Sequence, residues 1–172
     1  RYAKDNETIT KGAIAVAKNQ PTYKLAWHAL AVSRIMIGLV FLWAFFDKLF
    51  GLHFSTMPDK AWLSGGSPTT GFLKMGVNPD SPLASFFNSL AGQPWVDWIF
   101  MAGLLGLGLA LVLGIGLRIA AVTGTLLLVL MWAAQFPLEN NPVIDDHLVY
   151  AAVIIMAAAA RREWSIAGWW LN

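Results

Sequence analysis

PVIDDHLVYAAVIIMAAAA, residues 142–160, is the stretch on which the fold turns. Its uncharged part, Leu148–Ala160, is only 13 residues long, whereas a helix needs roughly 20 residues to cross the hydrocarbon core of a bilayer. It reaches across only if Val143–His147 join the same helix. The expected start is well marked, since Asn141 is a good N-cap and Pro142 suits the first helical position. On that reading Asp145, Asp146 and His147 lie one turn inside a helix, at a membrane boundary.

The rest of the chain gives that reading its context. Of 172 residues, 57% are hydrophobic and 13% charged, about half the charged share of an ordinary soluble domain. With nine Trp and ten Phe, the composition makes lipid the solvent for much of the surface. The net charge is +2, and the basic residues do not gather with aromatics as a nucleic-acid surface requires. There is no cysteine, which excludes disulfides, thiolate chemistry and Cys-ligated metal or iron–sulfur centres within this chain.

Three longer apolar runs precede the opening stretch. Together they predict an all-α integral membrane protein, a four-transmembrane-helix bundle with spans at 25–49, 94–117, 118–136 and 142–160. Residues 1–24 form a polar arm, with a short amphipathic helix around Ile9–Ala17 as one reading, and 161–172 an aromatic tail. Lys and Arg number eight on the side of the termini and three on the other, with Arg34 inside the first span. That bias places both termini in the cytoplasm. The connection at 51–93 is then outside. It carries two short amphipathic helices, one capped by Ser67 with Pro68 next, the other by Ser81 with Pro82 next. Leu83, Phe86, Phe87 and Leu90 share one face of the second. In GLLGLGLALVLGIG, residues 103–116, Gly106, Ala110 and Gly114 recur every four residues and predict a close helix neighbour on that face.

Few residues in this chain can carry chemistry. Asp146 and His147 lie four and three residues before Tyr150, so all three can share a helix face. One reading is a polar site in which Asp146 or His147 handles a proton for a bound substrate. The other is structural. In it Lys48, at the end of the first span, pairs with Asp146, or with Asp145 if the helix is rotated, and fastens the first helix to the fourth. Arg34, ten residues into the first span, is read as a contact to a lipid or quinone-like headgroup, or as a partner of Glu163. No two histidines share a helix at ligand spacing, so neither a haem nor another metal site is expected.

At SRIMIGLVFLWAFFDKLFGL (33–52), AWLSGGSPTTGFL (61–73) and NNPVIDDHLVYA (140–151) the chain resembles the DoxX/DoxD family of small bacterial membrane proteins. The resemblance covers most of residues 28–151. It departs at AFFDKL, where many relatives have a Gly before the Lys. It implies a four-helix protein of the bacterial plasma membrane, of a kind often described as the membrane subunit of a thiosulfate:quinone oxidoreductase. It aligns Arg34 and Lys48 with recurrent residues of the first span, and Asp145–His147 with the polar head of the fourth. The tail REWSIAGWWLN suggests an actinobacterial relative. Two functions follow as expectations. One is an accessory subunit of a respiratory electron-transfer assembly, such as a cytochrome bc–oxidase supercomplex, with no cofactor in this chain and other membrane subunits as partners. The alternative is the quinone-side subunit of the thiosulfate enzyme, with quinone as its ligand.

Overall fold

The computed structural model describes Thr10, Lys11, residues 21–160, Ser165 and Ile166. Helices dominate, and there is no strand among the described residues. Helix α1 runs Pro21–Phe50. A long connection follows, with 3-10 turns at Pro58–Lys60 and Trp62–Ser64, a π-helical turn at Phe72–Gly76, and the short helix α2 at Ala84–Leu90. Then come α3 (Pro94–Leu113), α4 (Leu117–Gln135) and α5 (Asp146–Ala159). Three helices, Lys24–Phe50, Pro94–Leu113 and Leu117–Gln135, are long and apolar enough to cross a membrane. Of the helix expected around Ile9–Ala17, only Thr10 and Lys11 are described, and both are helical. Most of the expected arm and tail lies outside the described residues.

The fourth helix corrects the expected boundary. It begins at Asp146, not at Pro142, because Asp145 is the residue that caps it: its backbone is extended and its side chain accepts from the N–H of Leu148. Asn141 has a capping bond of another kind, accepting from Val143 and Ile144 at 2.9 Å to close an isolated turn. The helix is thus 14 residues, about 21 Å at 1.5 Å per residue.

The long helices pack in two pairs, α1 with α3 and α4 with α5, joined through α3–α4 and α1–α5 contacts. One core runs through them, built on Ile37, Phe41, Met101, Leu104, Leu107, Leu111, Leu128 and Ile154. The close approach of α1 and α3 does not use the Gly106 face. A Cβ on Gly106 would meet nothing within 4 Å, whereas one on Gly108 would lie 2.6 Å from Leu42 Cγ and one on Gly38 2.8 Å from Val112 Cγ2. These contacts also show that α1 and α3 are antiparallel. Gly114 ends α3 in the left-handed region, at φ 72°, where a side chain would be strained.

The connection closes one end of this bundle, hereafter the polar end. Asn78 N–H donates to the carbonyl of Ala134 at 2.9 Å and Ser81 Oγ to that of Ala133 at 3.0 Å. They satisfy carbonyls that the last turn of α4 leaves without helical partners. Leu73, Val77 and Phe87 pack beside Ala134 in a second, smaller core. The expected single apolar face of α2 is therefore split, with Phe87 buried and Leu83 and Phe86 exposed. Its cap also differs: Ser81 lies just outside the helix, and the N-cap position, Leu83, makes no side-chain capping bond.

Candidate functional site

The polar residues near the fourth helix gather at the polar end. Asp145 Oδ2 lies 2.6 Å from His147 Nδ1, and Asp146 Oδ1 lies 3.7 Å from the same nitrogen. The side chains of Asp145 and His147 are each 14% exposed, that of Asp146 71%. Asp145 therefore does two jobs: Oδ1 caps the helix and Oδ2 fixes the imidazole. With Asp145 ionised, the proton sits on Nδ1 and Nε2 is the basic nitrogen, a tautomer assigned from the hydrogen bond. The three residues offer one ligand atom each within 4.8 Å of one another. Both Asp145 oxygens and Nδ1 are already engaged, so a cation there would have to break the dyad.

A cleft of about 610 Å³ opens beside this dyad, between the loop at Asn78, the end of α4 and the turn before α5. Its polar lining comes from Asn78, Gln135, Glu139, Asn140, Asn141, Asp145 and Asp146, with no Lys or Arg among the described lining residues. The turn is held by Trp132, whose Nε1 donates to the carbonyl of Val143 at 2.8 Å. Of the sequence-predicted residues, Asp146 and Asp145 line this cleft. Tyr150 instead packs as a half-buried ring against the main core.

Lys48 does not join them. Among the described residues the ion pairs of Asp145 and Asp146 are with His147, while Lys48 Nζ sits 3.4 Å from Ser55 Oγ. The expected clasp between the first and fourth helices is thus not formed. The Lys48 head reaches Ser55 in the chain after α1, and Asp145 and Asp146 lie against His147 instead. Arg34 is corrected as well. It is 3% exposed, too enclosed to meet a lipid headgroup, and its Nη1 lies 2.9 Å from where a Cβ on Gly114 would stand. That position, at the C-terminal end of α3, is one where the helix dipole favours a cation. Its alternative partner, Glu163, lies outside the described residues.

Two residues matter more than their sequence positions announced. Asp47, 1% exposed, accepts from Phe54 N–H, Ser55 N–H and Ser55 Oγ, the last at 2.6 Å. Asp97, 7% exposed, accepts from Ser67 Oγ at 2.8 Å, from Thr69 N–H at 3.2 Å and from Thr69 Oγ1. Each carboxylate ties the connection to a helix end. The sequence signal was an acid at a helix terminus with hydroxyl-rich loops elsewhere in the connection. Nothing local paired Asp97 with residues about thirty positions before it.

No protein-family model matches this chain, and neither a curated protein nor a solved structure does so.

Proposed function

We propose that this chain is a non-catalytic membrane subunit that packs into a larger assembly of respiratory electron-transfer proteins in a bacterial plasma membrane. The three motifs that resemble DoxX/DoxD proteins support the family side of this reading. The observation that carries it is how the chain spends its buried carboxylates. Asp47 and Asp97 each accept hydrogen bonds from the connection and staple it to the bundle. Carboxylates held by the loop in this way fix a surface in place. In addition, only 22–33% of the most apolar stretch of each long helix is buried within the chain, so most of that surface faces lipid or another subunit.

The alternative, a thiosulfate:quinone oxidoreductase subunit, meets an electrostatic obstacle at the cleft. A lining with three carboxylates and no cation among its described residues repels a dianion. The test is purification of a tagged chain from native membranes in mild detergent, followed by mass spectrometry and a visible spectrum. Cytochrome or oxidase subunits recovered in stoichiometric amount are the expected result. A lone chain that reduces quinone with thiosulfate would overturn the proposal.

A further inference from the structure

The depth of the cleft in the bundle can be read from helix register. A Cβ on Gly124 of α4 would lie 3.1 Å from Leu107 of α3 and 3.4 Å from Ile154 of α5, so these residues share one level. From there toward the polar end, at 1.5 Å per residue, α3 continues about 20 Å to Pro94, α4 about 16 Å to Gln135 and α5 only about 12 Å to Asp146. In the other direction α4 runs about 10 Å to Leu117, so a hydrocarbon slab of about 30 Å ends near Pro94. Trp95 and Trp98, exposed by 55% and 67%, stand at that boundary, as interfacial aromatics do. Asp146 therefore lies about 8 Å below the level where α3 starts.

The backbone between α4 and α5 is irregular, and residues 139–144 are exposed. Irregular backbone at membrane depth is stable only against protein or water. The cleft it borders is polar and large enough for many waters. Beneath it the core of Met101, Leu104 and Ile154 is closed, each of these residues being at most 4% exposed.

We propose that this cleft is a water-filled vestibule, sunk into the polar end of the bundle and blind at its floor, that admits small cationic solutes and turns away anions. The inference rests on the membrane reading given under the proposed function, and adds to it the access route and the charge selection. Glu139, Asp145 and Asp146 supply the field, the low-dielectric walls concentrate it, and the amides of Asn78, Gln135 and Asn140 offer neutral hydrogen-bonding groups.

The absence of native cysteine makes a direct test simple. Gln135→Cys, Asn140→Cys and, as a lipid-facing control in mid-span, Val122→Cys are reconstituted in nanodiscs, where both faces are open to reagent. Each is treated with methanethiosulfonates bearing a trimethylammonium or a sulfonate head, with rates normalised to a free thiol. The expected result is fast modification at positions 135 and 140 and little at 122. The cationic reagent should be favoured by about tenfold or more, a preference that Glu139→Gln with Asp146→Asn reduces. Position 135 reacting no faster than 122, or a charge preference indifferent to the neutralised carboxylates, would overturn the vestibule. A chain that does not enter nanodiscs at all would instead count against the membrane reading itself.

Discussion

At the C-terminal end of α1 a carboxylate sits where the helix dipole opposes it. Asp47 stays there because the backbone of Phe54 and Ser55 and the Ser55 hydroxyl all donate to it. Lys48, next in the chain, has one long bond to the same hydroxyl. The two neighbours should therefore respond very differently to truncation. Asp47→Ala removes the acceptor for three donors and should cost about 2–3 kcal/mol. Lys48→Met should shift stability by less than about 1 kcal/mol. A double-mutant cycle of Lys48→Met with Asp146→Asn should give coupling below about 0.5 kcal/mol. Unfolding in mixed detergent micelles measures all of these. Coupling of several kcal/mol between Lys48 and Asp146 would reinstate the clasp and contradict the placement of both side chains. Reading the sequence put Lys48 and Asp146 at one end of the bundle. It could not choose between His147, two residues from Asp145 in sequence, and a cation from another helix, because that choice depends on side-chain direction.

At the scale of elements, the apolar runs at 25–49, 94–117 and 118–136 were legible because helix length and hydropathy are local properties. The observed helices match them within a few residues. The start of α5 was placed too early because Asn141 has the chemistry of a cap, as Asp145 four residues later does, and only the fold shows which one a helix follows. Helix contact was harder still. A repeat of small residues on α3 marks a face but not whether a neighbour lies there. The face that approaches α1 is the one through Gly108, matched by Gly38 on the partner helix. Gly108→Ala, which drives a methyl into Leu42, should lower stability by about 1–3 kcal/mol. Gly106→Ala meets nothing and should be neutral or stabilise by up to about 1 kcal/mol through helix propensity. Thermal denaturation of the two variants in one detergent separates them, and equal effects would mean that α1 and α3 meet elsewhere.

At the scale of the whole molecule, everything depends on whether the 14-residue α5 crosses the membrane. Its length alone falls short, but it packs along α4, and its polar head borders a cleft that admits water to the missing depth. Under the proposed function, α5 completes a fourth crossing from the floor of that cleft. This returns the chain after Ala159 to the side of the α3–α4 turn. In the orientation expected from the charge bias of the sequence, that side is the cytoplasmic one. The most direct measurement combines single cysteines at Asp80 and Arg118 with a fluorescent or phosphatase reporter fused after Asn172, all read in intact cells. The account predicts that an impermeant thiol reagent labels position 80 and spares 118, and that the phosphatase is inactive while the fluorescent fusion glows. An active phosphatase after Asn172, with position 80 labelled and 118 protected, would show that α5 does not cross and contradict the four-helix membrane bundle.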